Sequence, residues 1–233
     1  MFDTVVRKPS KLSRLPGEVA AIRKEIKSLL AMRDALGRAV GASKWGVYAF
    51  YDYDGEPIYI GQTRESLRSR IGRHLTNQRT DAVAMNVLDP FEVAEVELWP
   101  LDDLISRIPE AQRIEFLNRA EYTLYARVIE KSELHAVLNE KIPRPADSME
   151  LPASYRRRII PENLYPQRKH PDVRMARRAF TIAALARVIS ERDVSDGLRL
   201  TLLTQARRLE SLARTRVQDL AIGPQYRTTD EEV

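Results

Sequence analysis

The chain has 233 residues, 43% of them hydrophobic and 30% charged, with no cysteine; it is long enough to bury a core, too apolar for general disorder, and unable to form disulfides, thiolate zinc sites, iron–sulfur clusters or thiol nucleophiles. No run reaches the roughly 18 apolar residues of a membrane-spanning helix, and the polar, basic start from Met1 to Pro16 lacks a signal-type apolar stretch, so a cytoplasmic, unexported protein without membrane contact is expected. The net charge of +5 is uneven: residues 1–40 carry nine basic and four acidic side chains, 41–150 thirteen and nineteen, and 151–233 sixteen and ten. Basic flanks around an acidic centre suit a polyanion-binding protein, although arginine-rich helical surfaces alone produce the same pattern.

In chain order, Val19, Ile22, Ile26, Leu29, Leu30 and Leu36 fall at helical spacing between Pro16 and Val40, which predicts one amphipathic helix ended by Gly41. Trp45–Tyr51 and Pro57–Gly61 are β-rich runs around Asp52-Tyr53-Asp54-Gly55-Glu56, where Asp-Gly signals a hairpin. Leu67, Ile71 and Leu75 mark a helix from Ser66 to Gln78, followed by a polar loop and a strand from Phe91 to Trp99 with Glu95 and Glu97 on a wet face. A longer helix runs from Pro109 to Lys131 on a stripe of Ile114, Leu117, Leu124, Tyr125 and Val128. Glu121 sits inside that stripe, where an unpaired carboxylate is costly unless something there wants it. Pro143–Pro171 reads as a proline-rich surface connector, and two arginine-rich helices, Val173–Glu191 and Ser195–Leu220, close the chain before a frayed end.

The order Gly46-Val47-Tyr48, ten residues, Tyr59-Ile60-Gly61, a helix with Arg70 and His74, then Glu121 and Asn139, resembles the GIY-YIG nuclease family over about residues 46–140. On two paired strands, Tyr48 and Tyr59 alternate to the same side as Gly46 and Gly61, so two phenols can face one cavity; two half-buried strand tyrosines would look the same. Arg70 and His74, four residues apart, are neighbours on a helix face, and an arginine fork suits a phosphate. Phosphodiester cleavage needs an activated water, neutralised phosphate charge and usually a cation held through oxygen.

The resemblance implies that Tyr48 acts as general base or positions the water, that Tyr59 supports it, and that Arg70 holds the scissile phosphate. The interval from Gly61 leaves Arg68 as an alternative match. It further implies that His74 contacts the phosphate or relays a proton, that Glu121 binds Mg2+ or Mn2+, and that Asn139 braces the site. Gln62 stands where the family often has lysine, so Arg64 is a candidate substitute. Arg64, Arg68 and Arg73, with Arg156, Arg157, Arg158, Arg168, Lys169, Arg177 and Arg178, are the candidate contacts to a DNA backbone; Arg177 and Arg178 read equally as a solvated helix face.

The expectation is an α+β protein with a small antiparallel sheet covered by helices. Its parts would be a basic helical arm over 1–41, a nuclease core over 42–142, a connector over 143–172, a helical region over 173–222 and a disordered tail over 223–233. The expected function is metal-dependent cleavage of double-stranded DNA, by a type II restriction enzyme or another anti-phage nuclease, with a homodimer as one arrangement. A structure-selective repair, recombination or homing nuclease, and a DNA-binding protein with a degenerate site, are the alternatives.

Overall fold

The computed structural model describes residues 17–75 and 89–221. The N-terminal arm before Gly17, the polar loop over 76–88 and the tail over 222–233 lie outside them. The first helix, α1 (Gly17–Leu30), stops ten residues short of the expected end. The reason is Asp34, whose Oδ1 accepts hydrogen bonds from the backbone N–H of Leu36 at 3.0 Å and of Arg38 at 2.8 Å. That turn competes with the helix and passes through Gly37 at φ 76°. Leu36 consequently points to solvent, 66% exposed, and was never part of the buried stripe.

Strands β1 (Gly46–Tyr51) and β2 (Pro57–Thr63) form the expected hairpin. Asp52 organises its turn: Oδ1 accepts from the N–H of Asp54 at 2.9 Å and of Glu56 at 3.1 Å, and Gly55 takes φ 83°, a conformation costly for a residue with a Cβ. Helix α2 (Leu67–Leu75) follows, then β3 (Glu95–Pro100), a short α3 (Asp102–Ile105), and α4 (Arg113–Lys131). The run from 143 to 171 is more than a connector, because Tyr155–Arg158 forms β4 and Tyr165–Lys169 forms α5. Two long helices, α6 (Pro171–Glu191) and α7 (Asp196–Asp219), complete the described chain. None of the described helices is long and apolar enough to cross a membrane.

The sheet is antiparallel throughout, in the order β2-β1-β3-β4. Alternation gives each face its own core. Tyr48, Phe50, Val96 and Leu98 pack with α1, α2 and residues of α6 and α7, including Leu185, Val188 and Leu198. Val47, Ala49, Ile60 and Trp99 pack with Leu117, Ala120, Leu124 and Val128 of α4. This is the expected α+β class. The flanking parts, however, contribute to one body: β4 extends the sheet, and α1 lies against it.

The helices α6 and α7 are anchored by buried charge. Asp52 Oδ2 accepts from Arg174 at 3.1 Å, Arg178 at 2.9 Å and Arg208 at 2.8 Å, while Arg208 also donates to the Pro57 carbonyl at 2.9 Å. Glu92 takes Arg177 and Arg178, with Nε distances of 3.0 and 3.1 Å. Burial pushes the Asp52 carboxyl up, but Arg208, Arg174 and Arg178 together outweigh it and hold its pKa below the usual value. Removing one partner of such a buried set strands the others without compensation. Asp52→Asn is therefore expected to cost about 3–5 kcal/mol, read as a lowered urea midpoint. Because the folded pKa is depressed, the stabilisation from Asp52 is present above the unfolded carboxyl pKa of about 4 and fades as pH falls below it. The wild-type urea midpoint should decline over that acidic window, and the decline should be shallower in Asp52→Asn.

Candidate active site

The register pairs Tyr48 with Gly61 and Phe50 with Tyr59, so both tyrosines occupy the sheet face covered by α2. Gly61 is required for this geometry. A Cβ built on it would meet Tyr48 Cζ at 2.6 Å, because the end of the Tyr48 ring reaches over the neighbouring strand at that point. Gly46 is similarly confined, with a Cβ 3.0 Å from Leu67 Cδ2 and from the Trp99 carbonyl. The Tyr59 ring stacks 6.3 Å from Tyr48 and lies tilted 5.1 Å from the His74 ring.

Helix α2 delivers two groups to the Tyr48 phenol. Its Oη lies 2.7 Å from His74 Nε2 and accepts from Arg70 Nε at 3.1 Å. Tyr48 has no exposed surface and His74 is buried. Burial works against the Arg70 charge, but the Tyr48 and Tyr59 oxygens more than offset it, and the guanidinium is held above its ordinary pKa. The phase of α2 selects Arg70 over Arg68, which is exposed.

On the opposite sheet face, α4 brings Glu121 toward β2. Gln62 Nε2 donates to Glu121 Oε2 at 2.9 Å and to Asn118 Oδ1 at 2.8 Å. Burial pushes the Glu121 carboxyl above the ordinary range, and the Gln62 hydrogen bond and the Arg70 charge offset this in part. Asn139 lies along the free edge of β2 instead of beside Tyr48 or Glu121. Its Oδ1 accepts from the Ile60 N–H at 3.0 Å and its Nδ2 donates to the Ile60 carbonyl at 2.7 Å, completing the pairing of an edge residue between Tyr59 and Gly61. Leu138 N–H adds a bond to the Ile58 carbonyl at 2.7 Å.

These elements border an open groove of about 480 Å³ lined by Gln62, Thr63, Arg64, Glu65, Arg70, Ile114 and Asn118. Ile114, expected in the buried stripe, is 51% exposed at its lip. Gln62 and Asn118 escaped the reading of the sequence as site residues. The signal for Asn118 was its i, i+3 spacing from Glu121 on one helix face; for Gln62 it was adjacency to Gly61.

The expected DNA contacts divide sharply. Arg64 lines the groove, and Arg73 pairs with Glu65 beside it. Arg68 stays exposed on α2, and the other candidates already engage groups within the chain. Arg156 pairs with Glu95 and stacks on Tyr51, Arg157 pairs with Glu25, and Arg158 with Glu162. Arg168 pairs with Glu18, and Lys169 lies over the Tyr165 ring. Arg177 is held by Glu92, and Arg178 is buried between Asp52 and Glu92, so neither reading of that pair, DNA contact or solvated face, describes it. Carboxylates distant in sequence meet these arginines once the chain folds, except Arg158, whose partner Glu162 is four residues away.

The fit between Gly61 and the Tyr48 ring makes a direct prediction. Gly61→Ala should force the phenol away from Arg70 and His74, while Gly72→Ala on α2, where an added Cβ meets nothing within 4 Å, should leave them in place. Tyrosine-selective Raman or NMR of the Tyr48 ring distinguishes the two variants.

A divalent cation fits the chemistry of this donor set only in an economical form. Among the described residues no group of three or more histidine, cysteine, aspartate or glutamate side chains could form a cage, whereas one half-buried carboxylate with neighbouring amide oxygens suits a hard cation that keeps water or substrate ligands.

Comparison with curated proteins and with solved structures gives no match. The GIY-YIG catalytic domain family matches residues 44–121, a span that begins just before β1 and ends on Glu121. With both tripeptides on one hairpin, the arginine helix on the first tyrosine and the glutamate behind the second glycine, residues 44–121 of this chain form a GIY-YIG catalytic domain.

Proposed function

We propose that the protein is a divalent-metal-dependent endonuclease of double-stranded DNA, serving as a type II restriction enzyme or another anti-phage nuclease. The observation that carries the nuclease reading is the placement of Arg70 on the Tyr48 phenol at the mouth of the groove that also reaches Gln62 and Asn118 above Glu121. With Nε committed to Tyr48, the outer nitrogens of Arg70 are the donors for a phosphate lying in the groove.

Tyr48 then handles a proton. Its oxygen takes the proton of the attacking water as its own O–H proton passes to His74 Nε2, and the Arg70 N–H steadies the phenol oxygen throughout. His74 Nε2, 2.7 Å from the phenol oxygen, is placed to receive that proton. Tyr59 packs against both rings and keeps them aligned. Glu121 would hold the cation, which supplies charge neutralisation at the phosphate oxygens. Asn139 acts one step removed, by fixing the edge strand on which Tyr59 and Gly61 sit.

The restriction-type role is supported by how the flanks are built. A chain with no cysteine has no thiolate zinc module, and α6 and α7 are locked to the hairpin by Asp52, Glu92 and buried arginines instead of hanging on a flexible linker. Arg64 is the groove residue placed to meet the DNA backbone. A homodimer would offer one groove to each strand of the duplex, and such a nuclease would act in the cytoplasm.

With supercoiled plasmid and Mg2+ or Mn2+, the wild-type protein is expected to give discrete linear fragments. Arg70→Ala and Glu121→Ala, with unchanged circular dichroism, should each lose about 10²–10³-fold in rate, and Arg70→Lys should not restore it because the fork is lost. Nicks or smears abolished by the same substitutions would retain the nuclease and remove the restriction role. Absence of cleavage with either metal on modified and unmodified DNA would overturn the nuclease reading. Light scattering that gives a monomer with and without DNA would remove the homodimer.

A further inference from the structure

We propose that Gln62 and Asn118 are positioning residues that orient the Glu121 carboxylate and set how tightly it holds a divalent cation. The inference rests on the reading of Glu121 as the cation ligand. It concerns a position where this chain has a neutral amide in place of the lysine common in the family, and a helix residue with no part in the sequence pattern.

The geometry defines which end of each amide faces which partner. Gln62 lies opposite Val47 in the register, so its side chain leaves the sheet on the face covered by α4. Its Nε2 donates to two acceptors at once, Asn118 Oδ1 at 2.8 Å and Glu121 Oε2 at 2.9 Å. Both amide protons are thereby used. A reversed Gln62 amide would set its oxygen against the carboxylate, so Glu121 selects the orientation and Asn118 locks it. Asn118 and Glu121 are one helical turn apart on α4, which keeps both acceptors at a fixed spacing.

The consequence for the carboxylate is asymmetric. Oε2 is tied to Gln62, and among the described residues no hydrogen bond reaches Oε1. One oxygen is held and the other is presented in a fixed direction, which is what partners behind a metal ligand do. The neutrality of Gln62 matters as much as its reach. An ammonium at the same place would pair with the carboxylate and oppose the approach of a dication, whereas an amide orients the ligand and leaves its full charge for the cation. Gln62 and Asn118 also line the groove, so the device lies on the path by which a cation and a phosphate would enter.

The test is Mn2+ binding to the full chain without DNA, by isothermal titration with electron paramagnetic resonance of the free ion as a second readout. Gln62→Leu removes the donor at similar size, Gln62→Lys keeps a donor and adds a charge, Asn118→Leu removes the lock, and Glu121→Gln reports on the ligand itself. Glu121→Gln is expected to abolish the wild-type binding event. Gln62→Leu and Gln62→Lys should each weaken it about tenfold, within the range seen when partners behind a metal ligand are lost, and Asn118→Leu should weaken it to a smaller extent. Wild-type affinity in both Gln62 variants, with Glu121→Gln still defective, would overturn the positioning role and leave the cation reading standing. Undiminished binding in Glu121→Gln would instead overturn the cation reading on which the inference rests. The lysine variant keeps the test decisive should the leucine variant fold poorly.

Discussion

The structure turns on a single carboxylate. Asp52 uses one oxygen to close the β1–β2 turn through the N–H groups of Asp54 and Glu56, and the other to receive Arg174, Arg178 and Arg208 from the last two helices. The local bonds shape the hairpin and the long-range ones attach two helices of 21 and 24 residues to it. Burying so many charges is expensive, and it is tolerated because every one is paired and hydrogen-bonded. Glu92 shares the load by holding Arg177 and Arg178. The same cluster sits at the end of the two strands that carry the tyrosines, so the helices brace the hairpin from outside the domain that the family match covers.

Strand β2 is where fold and chemistry meet. It is an edge strand, and its outward polar groups at Ile60 are occupied by the side chain of Asn139. Farther along the chain, Ser195 bonds Glu140 at 2.8 Å, and Gly197 lies so close to the Glu140 carbonyl that a Cβ would collide with it. The start of α7 therefore backs the segment that in turn backs β2. Tyr59 and Gly61 face α2 and the phenol cluster, while Gln62 faces α4 and Glu121. One strand thus carries residues for both halves of the site, on opposite faces, and its end opens on the groove where the halves converge.

Local signals explain what could be read beforehand. Asp-Gly between two β-rich runs marks a hairpin whatever packs around it, and period-two alternation sets Tyr48 and Tyr59 on a common face. Helical phase put Arg70 beside His74 and turned Glu121 inward. Propensity misjudged the first helix, because a single Asx turn at Asp34 outcompeted a continuing apolar pattern. The fourth strand was hidden for a different reason: Tyr155–Arg158 carries three arginines and looks like solvent-facing chain until Glu95 and Glu97 meet Arg156 and Glu25 meets Arg157.

What the sequence determined by itself was therefore the residue types, the hairpin, the helical phases and the family pattern, all properties of neighbours within a few positions or of a fixed order along the chain. What only the tertiary structure decided was the fate of charge and the shape of the groove. Whether an arginine faces a phosphate or a buried carboxylate depends on pairs such as Asp52 and Arg208, separated by 156 residues, and no local pattern records such a pairing. The amide pair of Gln62 and Asn118 became legible for the same reason, once β2 and α4 were packed face to face and two unremarkable polar residues met over the one carboxylate that the sequence had turned inward.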